Sequence, residues 1–210
     1  MAGRLLPLFP LEVALLPHAR LPLHIFEERY KEMIGECLEQ ESEFGVVLRR
    51  GEGILRAGCT ATIEKVLQRY DDGRMDILTV GRRRFEIEEI DNERDYLRGE
   101  VRFYQDSEFE EPAPDNVRKA MLAHAALAGP AGEETPAENA PDLSFRLAAI
   151  SDDHDFRQML LASLSEAERM EKVAEHLAWL VFRKQTQQAM KKVARSNGHG
   201  RHVAEFGEEK

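Results

Sequence analysis

The stretch LLPLFPLEVALLPHARLPLHIFEERY, Leu5 to Tyr30, decides how the rest of the chain is read. Leu5, Leu6, Leu8, Phe9, Leu11 and Val13 are bulky and apolar, but Pro7 and Pro10 each remove a backbone donor. Such a run belongs on an edge strand, or on an irregular strand held by its side chains, rather than in mid-sheet. Leu15, Leu16 and Pro17 then make an apolar turn. Leu21 to His24 form a second short extended piece, with Pro22 biasing Leu21 away from the helical region. From Phe26 the period changes. Phe26, Tyr30, Met33, Ile34, Cys37 and Leu38 recur at helical spacing with charged residues between them, which predicts an amphipathic helix of about four turns. Glu27 and Glu28 near its start suit the positive end of the helix dipole.

Beyond this helix, Phe44–Leu48 reads as a short apolar strand and Arg49–Arg56 as a polar excursion. Cys59–Val66 alternates as a half-buried strand. Asp71-Asp72-Gly73 is a hairpin signal leading into Met75–Val80, with Gly73 free to take positive φ. Gly81 reads as the start of a turn through Arg82-Arg83-Arg84, after which Phe85–Ile90 alternates again. Val101 and Phe103 close the series. Six or seven short strands with one inserted helix indicate a small mixed β-domain, closed or nearly closed.

The second half changes character. Glu108–Pro114 is a charged linker with two prolines. Val117, Ala120, Met121, His124 and Leu127 share a helix face, and Gly129–Pro141 lacks large apolar residues and reads as a mobile surface loop. Leu143–Ile150 and Asp153–Leu161 follow as short helices. Ser165-Glu166-Ala167-Glu168 is a capping-box pattern opening a long helix to about Val193. The expected organisation is a β-rich subdomain over 1–110, a helical subdomain of about four helices over 111–195, and a disordered tail over 196–210. The fold class is α+β.

The opening segment resembles the Lon protease N-terminal (substrate-binding) domain family, which shows a proline-broken leucine strand, an apolar-Pro-Gly turn and LPLxIFExRY. The resemblance continues through FGVVL (44–48), GCTATI (58–63), DDGRMDILTVGRRRFEI (71–87), LSFRLAAI (143–150) and MLLASLSEAERMEKVAEHL (159–177). It departs at His18, where the family has glycine after the turn proline, a position where positive φ is easier for glycine. The resemblance implies a PUA-like barrel and a module that holds unfolded or apolar polypeptide. It also implies an adaptor role in protein quality control beside a protease or ATPase supplied in trans; the cytoplasm is expected because two cysteines far apart, Cys37 and Cys59, fit a reducing compartment better than a disulfide framework. The family's ATPase and protease domains would need several hundred further residues.

Charge and motifs bear on the remaining classes. The formal net charge is −10, and residues 1–111 hold 16 Lys and Arg against 24 Asp and Glu. That balance repels phosphate backbones, so the alternative of a PUA-like RNA-binding protein is disfavoured. No run reaches the ~20 apolar residues of a membrane span. Cys37 and Cys59 read as buried thiols. GxxxxGK[ST], GxSxG, HExxH and CxxC are absent from the sequence, so no enzyme activity, catalytic residue, cofactor or metal is expected.

Asp152-Asp153-His154-Asp155 reads as a helix cap rather than a metal site. His199 and His202 fall in the tail. His24 reads as a polar residue pinning the helix entry, with a groove lining as the other reading. In a strand Arg82 and Arg84 fall on one side and Arg83 on the other, so the three form no single broad patch and read as solvated or paired with Glu86, Glu88 and Glu89. The candidate partner contacts are Leu15, Leu16, Phe26 and Tyr30. For the first two the sequence supports both an exposed patch and a packed turn.

Overall fold

The computed structural model describes residues 5–107, 111–129 and 135–197, with side chains to Val193. The predicted tail, with His199 and His202, lies outside the described residues from 198 on. So do 108–110 of the linker and 130–134 of the predicted loop. Among the described residues the chain forms strands β1 (Leu6–Leu11), β2 (Arg20–Ile25), β3 (Phe44–Arg50), β4 (Gly53–Arg69), β5 (Met75–Asp91) and β6 (Arg98–Phe103). Helix α1 (Glu28–Glu39) is inserted after β2, and α2 (Pro114–Ala128), α3 (Leu143–Ala148), α4 (His154–Ala162) and α5 (Glu166–Asn197) follow the strands. The chain is α+β, as expected.

The sheet order is β2-β5-β4-β3-β1-β6, and a further β5–β6 pairing closes β5, β4, β3, β1 and β6 into a barrel. β2 hangs on the first half of β5, outside the ring. Thus β1 is not an edge strand but an interior one, parallel to β3 and antiparallel to β6. The prolines are tolerated because each points its missing donor where no ladder runs. Leu8 donates its N–H to Leu97 O on the β6 side at 2.8 Å. By alternation Pro10 faces that same side, and β6 pairs only with Leu6 and Pro7. Pro7 faces β3, whose ladder begins at Leu8.

The six strands of the described residues match the expected number, but β4 and β5 each run 17 residues and are longer than the pattern of turns suggests. The polar excursion after Leu48 shrinks to a two-residue turn between Arg50 and Gly53, with Gly51 at φ 57. Gly81 starts no turn; β5 runs straight through it. A glycine is required there because a Cβ would come within 2.1 Å of Leu16 O. Gly73 does turn, at φ 81, as the Asp-Asp-Gly signal predicts.

The barrel interior is small. Leu8, Val47, Phe85 and Ile87 fill it, and the Phe85 ring leaves room for no Cβ at Gly45 or Gly58, each of which would meet it at 2.6 Å. The larger core lies outside the barrel wall, where α1 and the later helices cover Phe9, Phe44, Val46 and Leu48. α1 contributes Tyr30, Met33, Ile34 and Cys37 to it. Burial pushes the Cys59 thiol up to about 12, which leaves it an inert core group at neutral pH.

A charged junction fastens barrel to helices. Arg82–Arg84 form no single patch: Arg82 bonds Thr62, Arg83 bonds Glu43, and Arg84 is buried. None of the three takes Glu86, Glu88 or Glu89; Glu86 and Glu88 pair with Arg102 instead. Arg84 donates to Leu161 O (3.0 Å) and Ser163 O (2.5 Å), capping the end of α4, and to Asp106 just beyond β6. Arg169 of α5 is fully buried and also binds Asp106. Its five N–H groups find Ser144 Oγ, Ser163 O, Glu166 and both Asp106 oxygens. The Phe145 ring lies against both guanidinium groups, 5.1 Å from Arg84 and 4.5 Å from Arg169.

The predicted caps form. Asp153 Oδ1 accepts the Phe156 N–H at 3.0 Å, and Ser165 Oγ accepts Glu168 N–H at 3.2 Å. Glu168, however, takes the Ser163 hydroxyl rather than closing the box. α5 continues past the packed body, and from Ala178 to Val193 none of its residues is buried. Among the described residues no helix is long and apolar enough to cross a membrane.

Two outcomes are expected. Asp106→Asn leaves two buried guanidinium groups without their shared charge and should cost about 3 kcal/mol in urea unfolding. His154 and His176 are both held below their ordinary value of 6.5, chiefly by burial. The unfolded chain therefore binds protons that the folded chain refuses. Stability should be level above about pH 6.5 and fall as pH drops below it, with His176→Phe reducing the slope of the urea midpoint.

Candidate functional site

The Leu5–Tyr30 segment builds a cleft rather than a patch. The end of β1, the end of β2 and the first turn of α1 converge around a cavity of about 310 Å³ lined by Phe9, Leu11, Leu23, Ile25, Phe26 and Tyr30. Phe9 and Tyr30 meet at 4.2 Å between ring centroids and form the floor. Burial raises the Tyr30 phenol above its ordinary value, and the Arg29 guanidinium, 4.5 Å from the ring, opposes that shift. Charged groups stand round the rim, with Glu12 and Arg49 paired at 3.0 Å and Glu27 paired with Arg29 at 2.6 Å. An apolar floor with a charged rim suits an apolar side chain carried on a polar backbone.

Of the four predicted contacts the structure brings Phe26 and Tyr30 together here and sends the other two elsewhere. Phe26 is 59% exposed at the mouth of the cleft, while Tyr30 keeps only 7%. Leu15 and Leu16 are 3% and 0% exposed. They belong to the core, so neither can touch a partner. The turn that carries them is clamped from above: Ala14 N–H reaches His154 Nδ1 at 3.4 Å, and Arg157 donates to Ala14 O.

His24 bonds a carboxylate, but across the sheet rather than at the helix entry. Its Nδ1 lies 2.6 Å from Asp76 Oδ1, and the Tyr70 hydroxyl donates to Asp76 Oδ2 at 2.8 Å. His24 and then Tyr70 hold the Asp76 carboxyl below its usual range. The His24 ring stacks on Phe26 at 5.8 Å and meets Tyr70 edge-on at 6.1 Å. Phe26, His24 and Tyr70 therefore make an exposed aromatic shelf beside the cleft, fixed by one carboxylate. Sequence reading missed Tyr70 and Asp76. The signal that finds them is the register His24↔Asp76, which no local pattern supplies.

β2 leaves one sheet edge open. Gly81 N–H bonds Ala19 O, so the odd-numbered residues of β2 face β5 and the even-numbered ones face outward. Pro22 sits among the outward ones and offers no donor, which blunts this edge for strand addition.

The helical half holds a second pairing that spacing alone hides. Ser151 Oγ lies 2.8 Å from His176 Nε2, a distance a nucleophile and its base would share. Ser151 is 1% exposed, and its oxygen already receives the Asp153 N–H. The His176 ring lies flat on Phe156 at 3.8 Å. This geometry latches α5 to the α3–α4 connection and gives a substrate no approach.

Comparison with known proteins agrees with this architecture. Residues 5–178 match the family described as the ATP-dependent protease La (LON) substrate-binding domain. The Lon protease of Parabacteroides distasonis is 28% identical over 114 residues, which cover 50% of this chain and 14% of that protein. The chain thus spans a small part of that relative. The crystal structure of the Lon N-terminal domain protein from Xanthomonas campestris superposes with TM-score 0.64 and 27% identity, covering 83% of this chain and 98% of that one. The N-terminal domain of Mycobacterium avium complex Lon protease shares the fold, at TM-score 0.61 and 13% identity over the same shares of the two chains.

The placement of the predicted contacts is checked by two truncations. Leu16→Ala should cost about 3 kcal/mol, because it empties a fully buried site. Phe26→Ala should change stability by less than about 0.5 kcal/mol. Denaturant unfolding of the two variants reads both.

Proposed function

Given that the chain belongs to the LON substrate-binding domain family, we propose that it grips extended apolar segments of unfolded polypeptide and does not transform them. The observation that carries this reading is Phe26, a large aromatic residue left 59% exposed at the mouth of an apolar cleft. A protein keeps such a residue in water at a cost in solubility, and an aromatic shelf beside a cleft is a common way to anchor apolar side chains.

The mechanism follows from the lining. A leucine or phenylalanine side chain of the bound segment enters between Phe9, Leu23 and Tyr30, while Phe26, His24 and Tyr70 stack against its neighbours. Arg29 and Arg49, already paired to Glu27 and Glu12, take the segment's polar groups at the rim. Because Pro22 interrupts the free edge of β2, affinity comes mainly from side-chain burial and less from added strand hydrogen bonds. The wider setting we propose is an adaptor that hands such segments to a protease or ATPase in trans in the cytoplasm. The RNA-binding alternative gains no support from Arg82, Arg83 and Arg84, each turned to a different partner.

Binding of a fluorescently labelled, permanently unfolded protein checks the reading. Wild type should bind it and delay its aggregation. Phe26→Asp should weaken binding about tenfold or more with an unchanged melting temperature. Equal binding by wild type and variant would remove the cleft from the proposal, and tighter binding to single-stranded RNA than to the unfolded protein would overturn it.

A further inference from the structure

At the start of β2 lies a second cavity, of about 660 Å³, between the barrel and the helical half. Its lining differs in kind from the first. His18 and Arg20 come from the turn and β2, Glu64 from β4, Arg146 from α3 and Arg157 from α4. Three guanidinium groups border one cleft in a chain of net charge −10.

Two of these guanidinium groups have neutral partners. Arg146 donates Nε to Pro141 O at 2.8 Å, and its Nη2 lies 3.0 Å from His18 Nδ1. Arg157 spends Nε on Ser151 O (2.6 Å) and Nη2 on Ala149 O (2.7 Å), with a longer contact to Ala14 O. These bonds fix the guanidinium planes yet leave the charges uncompensated by bonded carboxylates. The acids nearby are engaged otherwise: Glu64 with Arg20 at 3.2 Å, and Asp142 with His18 Nε2 at 2.9 Å. Burial also holds Arg157 below its ordinary pKa, with only the Coulomb attraction of Asp152 opposing it. A rigid, half-buried guanidinium with no carboxylate bonded to it binds an oxyanion at little cost in reorganisation.

The backbone adds a separate observation. His18 adopts φ 65, in the left-handed region that favours glycine. Its imidazole bridges Asp142 and Arg146, and so joins the turn of the barrel to the start of α3. A strained residue is kept where its side chain completes a wall of the cleft.

We infer that this cleft is an oxyanion site, in which Arg146, Arg157 and Arg20 receive a phosphoryl or carboxylate group between barrel and helices. Arg146 and Arg157 supply the charge and planar forks. Arg20, 65% exposed along its side chain, swings from Glu64 to close the outer side. The site is separate from the aromatic cleft and does not rest on the substrate reading given for it.

Calorimetry and melting of the full chain, at ionic strength held constant with sodium chloride, test the inference. One arm uses inorganic phosphate; another uses a short peptide with a free C-terminal carboxylate against its amide. Saturable binding of phosphate assigns a free or phosphoryl ligand, and preference for the free-acid peptide over the amide assigns a carboxylate. In either case Arg146→Gln and Arg20→Gln should each weaken binding about tenfold. Arg83→Gln, on the outer barrel wall, should not. Phe26→Asp should leave this binding intact while removing that of unfolded protein, which keeps the two readings separable. Phosphate and free-acid peptide no better than chloride and amide would overturn the inference. So would binding that Arg20→Gln leaves unchanged, since that exposed residue can be replaced without disturbing the fold.

Discussion

Arg84 leaves the barrel on β5, Arg169 leaves α5, and both end on Asp106 beneath the ring of Phe145. Burying a guanidinium costs several kcal/mol unless its donors are met and its charge is shared. Here every N–H of Arg169 has an acceptor, and Arg84 also caps the carbonyl end of α4. Burial works against the charge on Arg169, but Asp106 and Glu166 more than offset it and raise its pKa. Burial wins at Arg84, whose pKa is lowered although Asp106 resists. Apolar packing alone would let helices slide over a barrel wall. A fork of charge with few acceptable geometries fixes one seating, and the cleft that Arg146 and Arg157 line from the helical half depends on that seating.

The two clefts use opposite ends of one strand: His18 to Arg20 border one, and Leu23 to Phe26 the other. Leu15 and Leu16 sink into the core and Gly81 lies close beneath them, so the Leu15–His18 turn is held in place. On one side it leads through β2 to the aromatic shelf, and on the other it presents His18 to Arg146. Neither side needs a moving loop to be built. The opening segment therefore supplies most of the apolar cleft and, through His18 to Arg20, one border of the other.

What the sequence made legible follows from the range over which each signal acts. The period change at Phe26, the Asp-Asp-Gly turn and the Ser165 cap are local, and each is found in the structure. The position of β1 was not legible. Whether a proline can sit inside a barrel depends on which way its nitrogen points relative to each neighbour, and that is a property of register. The three consecutive arginines gave no sign that the third turns inward, because its partner Asp106 is 22 residues away. For the candidate site, Phe26 and Tyr30 could be read from the motif, whereas Tyr70 and Asp76 arrive only through cross-strand pairing. Leu15 and Leu16 look alike whether bare or covered, since their burial is decided by segments distant in sequence, Gly81 of β5 among them.

The backbone at His18 carries a consequence for how this turn can vary. Glycine there would relax the peptide geometry, yet it would erase the imidazole that ties the barrel to α3. Backbone ease and the tie between barrel and helix thus pull the same codon in opposite directions. A chain that has settled on histidine has accepted a tenser loop in exchange for a side chain that does something.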